Sequence, residues 1–518
     1  MDAFPSKSRV EPTGDKPVDS DRTACAAVCP GDKPQCNCGV VGVYGDPQAA
    51  TLVYYGLHAL QHRGQEAAGI VAVHRERGGA PRLRIHKGRG LVTEVFSDAH
   101  ILSDFLAGDV AIGHNRYSTT GSDNLENIQP FMVTYRDGQL AVAHNGNLTN
   151  TRSLRKSLQD AGTIFQTGTD TEVFLHLTAR SQAATPEDRI IDALNSVRGA
   201  FSLVIMHGDT LIAARDPFGF RPLCLGRRGK AWVVASESCA LDIMKADYVR
   251  DVEPGEVLFF DGRMGPDGEP RRRTLALQPE RFSHCIFEYI YFSRPDSIIF
   301  GEKVDKIRRR LGKMLAHAAP VPGTPDDPVL IMAVPDSSNT AAIGYVRSSG
   351  KMGIDARFEI GLIRSHYIGR TFIQPGQEKR EMNVRLKFNT VKGVIEGRKV
   401  LIIDDSIVRG TTSRLLINLV REARPREIHV RISSPMIVNP CPYGMDFPSR
   451  EELVAVQCGG DVERIRKEIG ADSLAYLSLD ALEAVVDHSG KRGYCTACFG
   501  GVYPVPPEPN MTKEEHER

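Results

Sequence analysis

The sequence predicts an α+β domain with two packed sheets, followed by an α/β domain with a parallel sheet. Alternating apolar and polar residues, as at 231–234 and 256–260, are typical of strands in two sheets that cover one another. A polar stretch at 262–273, which we interpret as an interdomain connection, separates the two patterns. Beyond it, apolar strands alternate with helical segments, and the run 400–403 is apolar throughout, as in a parallel-sheet strand buried on both faces.

Length and charge exclude several classes of protein. The 518 residues suffice for two or three domains with full cores. Lys and Arg number 65 against 64 Asp and Glu, so the net charge of +1 gives no reason to expect a nucleic-acid or membrane partner. No apolar run approaches the roughly 20 residues that cross a bilayer, and residues 1–37 contain no signal-peptide segment. We therefore expect a cytoplasmic protein.

Cys38 stands at the predicted start of order, behind a polar, Pro-rich segment that we expect to be a disordered propeptide. If residues 1–37 are removed, Cys38 carries a free α-amine with a pKa near 8, which could serve as general base for its own thiol. A buried structural cysteine is the alternative. Cys36 is a competing thiol, but only Cys38 is followed by Gly-Val-Val-Gly, so we assign the nucleophile to Cys38.

Four further stretches, at 60–70, 113–119, 143–147 and 167–172, favour the nucleophile over the structural cysteine. Together with Cys38 they resemble the class II, N-terminal-nucleophile glutaminase domain of amidotransferases, whose fold is an αββα sandwich. The resemblance implies that Cys38 attacks the amide of glutamine and that the Asn145 side chain and the Gly146 N–H form an oxyanion hole. The glutamine-binding residues that it implies are Arg63, Arg116 and Asp170.

A phosphate site is predicted directly after the strand 400–403. Asp404 and Asp405 end the strand, and a turn with Gly410 leads into a helix, whose N-terminal N–H groups can hold an anion. The adjacent carboxylates then require sugar hydroxyls or a hard cation such as Mg²⁺. A capped core strand with a solvated acidic turn is the alternative. The complete stretch resembles the phosphoribosylpyrophosphate (PRPP) fingerprint of type I phosphoribosyltransferases.

Two other loops complete the predicted PRPP site, and Arg385 and Lys387 follow the second of them. A buried strand at 329–334 delivers a loop at 335–338 that suits pyrophosphate and its metal, and a Gly-rich basic loop at 367–380 could close over the substrate. One Mg²⁺ per subunit is expected on Ser338, Asp404 and Asp405. The predicted PRPP-binding residues are Asp336, Ser337, Ser338, Arg385, Lys387, Asp404, Asp405, Ser406, Arg409, Gly410, Thr411 and Thr412.

Four cysteines form a candidate metal site. Cys495 and Cys498 have the two-residue gap of a metal clamp, while Cys285 and Cys441 are distant in sequence. Four thiolates suit either zinc or iron–sulfur, and a reduced pair with two core thiols is the alternative. All four segments resemble their counterparts in one branch of the glutamine PRPP amidotransferases, which implies a structural [4Fe–4S] cluster.

That family resemblance extends over about residues 38–503 and implies the reaction of PRPP, glutamine and water to 5-phosphoribosylamine, glutamate and pyrophosphate in purine synthesis. It also implies feedback by purine nucleotides and a homotetramer. A PRPP-sensing regulatory protein and a glutaminase serving another acceptor are the alternatives. The expected divisions are a glutaminase domain at 38–270, a phosphoribosyltransferase domain at 271–470, a helical cluster-ligand segment at 471–505 and a polar tail at 506–518.

Overall fold

The structure is a computed structural model that describes residues 38–75, 81–116, 125–265, 268–365 and 384–508. The N-terminal segment 1–37, with Cys36, and the loop 367–380 lie outside the described residues. Within the described ranges, no helix is both long and apolar enough to cross a membrane.

The first domain contains two antiparallel sheets. The strand that follows Cys38 is central in a seven-stranded sheet, where it pairs with a neighbour on each side. The strands of this sheet, in spatial order, are Asp247–Asp251, Cys224–Arg228, Ala231–Ala235, Gly39–Tyr44, Val110–Arg116, Ala67–His74 and Arg82–Arg89. The second sheet has six strands, Pro270–Thr274, Glu256–Met264, Thr210–Arg215, Gly199–His207, Gly138–Leu148 and Phe131–Tyr135.

The two sheets pack face to face, and helices cover their outer faces. Val40 and Ile112 of the first sheet meet Ala143 and Val204 of the second in one apolar core. Helices Ala49–Ala59 and Ser238–Ile243 lie on the outer face of the first sheet, and Asp170–Arg180 and Pro186–Ser196 on that of the second. The predicted αββα sandwich is therefore confirmed. Shorter helical elements are Val92–Val95, Ile101–Phe105, Leu125–Asn127 and Thr151–Asp160.

The stretch at 262–273 differs from the prediction of a connecting loop. Glu256–Met264 and Pro270–Thr274 pair as antiparallel strands at the edge of the six-stranded sheet. The prediction was wrong because it interpreted a run of arginines as a solvent-exposed loop. Arg271 instead pairs with Glu187 and Asp261, so its charge is neutralised on the sheet surface.

The second domain is a five-stranded parallel sheet with helices on both faces, as predicted for the α/β part. Helices Val304–Ala318 and Asn339–Lys351 pack on one face, and Thr411–Glu422 and Val462–Ile469 on the other. The strands, in spatial order, are Ala356–Phe358, Val329–Ala333, Lys399–Asp404, Glu427–Ile432 and Ser473–Tyr476. Smaller elements are Glu288–Phe292, Ile298–Ile299, Glu302–Lys303, Leu362–Arg364, Phe388–Thr390, Lys392–Ile395, Arg450–Glu452, Val454–Gln457, Leu479–Glu483 and Ala497–Gly500.

The order of these strands determines where a ligand can bind. Val329–Ala333 comes first in the chain, yet it lies between the second and third strands, Ala356–Phe358 and Lys399–Asp404. The chain therefore leaves Val329–Ala333 and Lys399–Asp404 in opposite directions. In doubly wound sheets a crevice opens outside the carboxyl ends of two such strands. The loops at 335–338 and 404–410 both start at this crevice.

The C-terminal segment returns to the start of the second domain. Tyr494–Cys495 pairs in parallel with His284–Cys285, so Cys495 lies directly opposite Cys285. The carbonyl of Cys498 accepts hydrogen bonds from the backbone N–H of Val438 at 2.9 Å and of Asn439 at 3.1 Å. Three segments that are distant in sequence are thereby joined.

Candidate active sites

Strand alternation directs three predicted glutaminase residues into the space between the two sheets. Side chains two or four residues apart on a strand lie on the same face. Cys38 is two residues from Val40, and Asn145 is two residues from Ala143, both of which belong to the inter-sheet core. Arg116 is related in the same way to Ile112 in the neighbouring strand. The fold therefore brings the thiol, the guanidinium and the amide to one end of the sandwich.

Asn145 has a buried side chain, and neither end of its amide has a hydrogen-bond partner among the described residues. Buried amides are nearly always hydrogen-bonded, so this arrangement is typical of a group that binds a ligand. Gly146 has φ +146°, and a Cβ there would lie 2.1 Å from the carbonyl oxygen of Ala200. Only glycine fits this position, and its backbone can therefore approach a ligand closely.

A buried polar layer, which sequence reasoning missed, supports the strand that bears Asn145. The His144 N–H donates to Gln129 Oε1 at 2.8 Å, and His144 Nδ1 lies 3.1 Å from Thr171 Oγ1. Asp170 Oδ2 accepts from the Leu148 N–H at 2.9 Å, so the predicted ammonium ligand holds the end of the same strand. The only sequence signal was the position of His144 beside Asn145.

Arg63 lies behind the nucleophile strand, in a buried ion network. Its Cβ is 3.6 Å from where a Cβ on Gly39 would stand. Its guanidinium donates to Glu237 Oε1 and, at 2.6 Å, to Glu288 Oε2, and all three side chains are fully buried. Burial lowers the pKa of Arg63, but Glu237 and Glu288 outweigh it and raise that pKa above its ordinary value. Arg221 also contacts Glu288, at 3.3 Å. Arg63 thus links the glutaminase domain to the following one.

The two predicted loops of the PRPP site are hydrogen-bonded to each other at the carboxyl ends of their strands. Ser337 Oγ donates to Asp405, and Ser338 Oγ donates to Asp404 Oδ1 at 3.3 Å. Ser406 Oγ donates to Asp405 Oδ1 at 2.7 Å. Serine and carboxylate oxygens gathered in this way are the hard donors that Mg²⁺ prefers. Of the three predicted magnesium residues, Ser338 and Asp404 are therefore in contact, and the neighbouring Asp405 carboxylate is held by Ser337 and Ser406.

Gly410 lies immediately before helix Thr411–Glu422, as predicted. Its φ is +81°, and a Cβ there would approach Val454 Cγ2 to 3.2 Å. Thr411 and Thr412 are the first two residues of the helix, and a helix N-terminus attracts anions. The sequence thus placed the turn and the helix start correctly.

The predicted basic and acidic PRPP residues at the rim of the crevice form ion pairs within the protein. Arg409 pairs with Glu452 at 2.7 Å, and Arg385 pairs with Glu422. Asp336 pairs with Arg364 at 3.3 Å. Lys387 lies beside this pair, and burial together with Arg364 lowers its pKa. These exposed pairs are weak, so a polyanionic substrate can replace them.

Four cysteines that sequence reasoning grouped line one small cavity. Apolar and aromatic residues complete its wall, among them Phe220, Phe287, Tyr443, Phe447 and Tyr503. Burial raises the pKa of Cys285 to about 12 and also raises those of Cys495 and Cys498, and the neighbouring thiols act in the same direction. Among the described residues, no three His, Cys, Asp or Glu side chains converge on a single ion position. The sulfurs of Cys285, Cys441, Cys495 and Cys498 instead surround a space.

The segment that bears Cys441 also packs on the strand that bears Asn145. Asn147 Nδ2 donates to the Pro442 carbonyl at 2.9 Å, and Arg221 Nη2 donates to the Tyr443 carbonyl at 2.7 Å. A Cβ on Gly444 would lie 3.2 Å from the backbone of Gly146. The thiol cavity and the glutaminase site therefore share one segment of chain.

Comparisons with known proteins agree with this geometry. Residues 114–242 match the family model of a glutamine amidotransferase domain. Amidophosphoribosyltransferase 1, chloroplastic, of Arabidopsis thaliana is 50% identical over 480 residues, which are 92% of this chain and 80% of the relative. A solved structure described as the allosteric regulatory enzyme of purine biosynthesis matches with TM-score 0.82 and 46% identity, over 93% of this chain and 99% of that one. The structure of the Bacillus subtilis glutamine PRPP amidotransferase complexed with ADP and GMP matches with TM-score 0.81 and 46% identity, over 92% of this chain and 99% of that one.

The first domain is an N-terminal-nucleophile glutaminase sandwich, and the second is a phosphoribosyltransferase domain. Together they define a class of protein, the glutamine amidotransferases that act on an activated ribose. Within that class, the chain belongs to the amidophosphoribosyltransferase family. The enzyme converts PRPP, glutamine and water to 5-phosphoribosylamine, glutamate and pyrophosphate, the first committed step of purine synthesis.

Proposed function

We propose that Cys38 is the nucleophile of the glutamine half-reaction after residues 1–37 are removed. The freed α-amine takes the thiol proton and the sulfur bonds to the amide carbon; the α-ammonium then gives that proton to the leaving nitrogen as the C–N bond breaks and ammonia is released. Water then hydrolyses the thioester to glutamate. The Asn145 amide and the Gly146 N–H stabilise the oxyanion in both steps. The observation that carries this proposal is the Asn145 amide, which has no hydrogen-bond partner within the part of the chain that the structure describes.

Arg116 and Asp170 are proposed to bind the α-carboxylate and the α-ammonium group of glutamine. Arg116 shares the inter-sheet face with Cys38, and Asp170 holds the end of the Asn145 strand, so both lie on elements that border the thiol. Opposite charges at the two ends of the substrate would orient its amide toward the sulfur. Arg63 is proposed to act on this site through its contact with the first residues of the nucleophile strand.

The crevice of the parallel sheet is the proposed PRPP site. The loop 335–338, Arg385 and Lys387 would bind pyrophosphate, the N-terminus of helix Thr411–Glu422 the 5-phosphate, and Asp404 with Asp405 the ribose hydroxyls. Ser338, Asp404 and Asp405 fit one Mg²⁺ per subunit, which when bound neutralises charge on the departing pyrophosphate. Ammonia forms its bond to C1 of the ribose as the bond from C1 to pyrophosphate breaks. A closed passage that keeps ammonia from water is a requirement of this scheme.

A [4Fe–4S] cluster is proposed for the thiol cavity. A single zinc ion would need four sulfurs about 3.8 Å apart, as bonds of about 2.3 Å in a tetrahedron require. Sulfurs that line a cavity fit a larger group, and its iron would stabilise thiolates that burial otherwise disfavours. The role is structural, since the ligands join the C-terminal segment to both domains. Iron and acid-labile sulfide analysis of anaerobically purified protein tests this, and stable protein that lacks both would refute it.

Regulation is proposed from a relative, and assembly and location are proposed from the sequence. The B. subtilis structure is complexed with ADP and GMP, which supports purine nucleotides as feedback inhibitors of this enzyme. A homotetramer, a cytoplasmic location and the domain divisions at 270, 470 and 505 complete the proposal. Inhibition assays with ADP and GMP and light scattering of the purified enzyme test the first two.

Two activities measured side by side test the residue roles. Cys38→Ala should abolish 5-phosphoribosylamine formation from glutamine and leave formation from added ammonia intact. Asp405→Asn should lower both, because it alters the shared acceptor site. Sequencing of the active protein should start at Cys38. Glutamine-driven synthesis by Cys38→Ala, or an active protein that starts at Cys36, would refute the assignment.

A further inference from the structure

Arg308 is a buried cation that lies between the two proposed sites. It belongs to helix Val304–Ala318, and its guanidinium donates only to backbone carbonyls among the contacts described. The distances are 2.7 Å to Tyr289, 2.8 Å to Ser293 and 3.4 Å to Ser337. Burial lowers the pKa of Arg308 to about 10, so the group stays charged at neutral pH. Within the described ranges, no carboxylate lies within ion-pair distance of it.

On one side, Arg308 contacts the loop proposed to bind pyrophosphate. The Ser337 carbonyl accepts from Arg308, while the Ser337 hydroxyl donates to Asp405. A buried cation without a carboxylate partner is costly, and an anion that arrives nearby reduces that cost. The guanidinium therefore favours a polyanion at this loop, in addition to fixing the backbone of the loop.

On the other side, Arg308 contacts the interdomain ion network. Ser293 accepts from Arg308 through its carbonyl, and its hydroxyl donates to Glu288 Oε2 at 2.7 Å. Arg63 Nη2 donates to the same hydroxyl at 3.1 Å, and the Arg63 Cβ lies against Gly39, the residue after the nucleophile. A continuous set of hydrogen bonds thus runs from Asp405 to Arg63, and a packing contact of the Arg63 side chain completes the path to Gly39.

We propose that Arg308 is a positioning residue, which fixes Ser337 relative to Ser293 and so couples occupancy of the phosphoribosyl site to the glutamine site. This inference rests on the proposed roles of Ser337 and Cys38. Three hydrogen bonds from one planar group determine its orientation, which a lysine ammonium cannot reproduce. A shift of the pyrophosphate loop on binding would therefore be transmitted to the segment that holds Arg63.

Arg308→Lys, in the complete enzyme with its cluster, is the first test. In the ammonia-dependent reaction we expect the KM for PRPP to rise about tenfold with kcat within about twofold, as for one lost charged hydrogen bond. Arg431→Lys is the matched control, because Arg431 is a buried arginine of the same domain that donates to the Ala319 and Val430 carbonyls, away from the crevice. Equal KM values for the two variants would overturn the positioning role.

Ser293→Ala tests the coupling and keeps the carbonyl that Arg308 contacts. In the wild type, saturating PRPP should speed glutamate release from glutamine. In Ser293→Ala that response should fall at least threefold, while the KM for PRPP with ammonia stays within about twofold of the wild-type value. A full response in this variant, or none in the wild type, would overturn the coupling. Failure of the PRPP site itself is distinguishable, because Asp405→Asn would then keep its ammonia-dependent activity.

Discussion

Asn145→Ala should separate stability from activity. The side chain holds two buried polar atoms without described partners, and such atoms cost roughly 1–3 kcal/mol. Alanine removes that cost but leaves a small cavity, which costs a comparable amount. We therefore expect the free energy of unfolding to stay within about 1 kcal/mol of wild type or to rise. Loss of one oxyanion donor should lower kcat with glutamine by about 10²–10³, or about 2.7–4 kcal/mol.

The assay pairs guanidinium unfolding with glutamine-dependent and ammonia-dependent synthesis. Asn150→Ala is the matched control, because its amide donates to the Ser196 carbonyl at 3.0 Å and accepts from the Arg198 N–H at 2.8 Å. That variant should lose about 1–2 kcal/mol of stability and keep both activities. If Asn145→Ala loses as much stability as the control, the amide has a partner in the resting protein. If it keeps glutamine-dependent activity, Asn145 is not an oxyanion donor.

Three further changes test other parts of the structure. Arg63→Met should lower the free energy of unfolding by about 3–5 kcal/mol, because buried Glu237 then keeps only His62, and buried Glu288 only Arg221, as a basic partner. Arg75→Ala, at exposed ion pairs with two carboxylates, should lose at most about 1 kcal/mol, and equal losses would contradict the network. Burial lowers the pKa of His114 from 6.5 to about 3. The neutral imidazole therefore stabilises the folded protein fully above pH 6.5, and this contribution is lost as the pH falls toward 3. Between pH 7 and pH 5 the free energy of unfolding of His114→Gln should therefore fall by about 2 kcal/mol less than that of the wild type. An equal fall in the two proteins would refute this. Asn147→Ala removes the hydrogen bond to the Pro442 carbonyl and should reduce glutamine-dependent kcat several-fold. Iron content and ammonia-dependent activity should stay constant. Equal loss of both activities would argue against a specific contact between the Cys441 segment and the glutamine site.

Local sequence predicted those parts of the sites that one segment of chain builds. The turn at Gly410 and the helix that follows occur where the strand, the glycine and the apolar period placed them. Asn145 and Gly146 differ, because the sequence indicates a turn there and the structure has the strand Gly138–Leu148, which bears both groups. At Gly410 the residues that determine the geometry are neighbours in sequence, so backbone preferences and side-chain period suffice.

Long-range electrostatics could not be predicted in this way. Arg63 was expected in the glutamine site from its motif, but its carboxylate partners Glu237 and Glu288 are 174 and 225 positions away. Arg308 carried no motif at all, because its partners are backbone carbonyls, which every residue has. The arginines at 271–273 looked like a loop because their partners, such as Glu187, belong to another element.

The sequence by itself determined the two fold classes, the candidate nucleophile and the turn at Gly410, since each depends on residue types at short spacing. Only the tertiary structure decided that the four thiols line one cavity and that the Cys441 segment packs on the strand that bears Asn145. It also decided that buried arginines connect the two sites. The physical reason is that burial and pairing of charges depend on which surfaces meet, and that is a property of the packed chain.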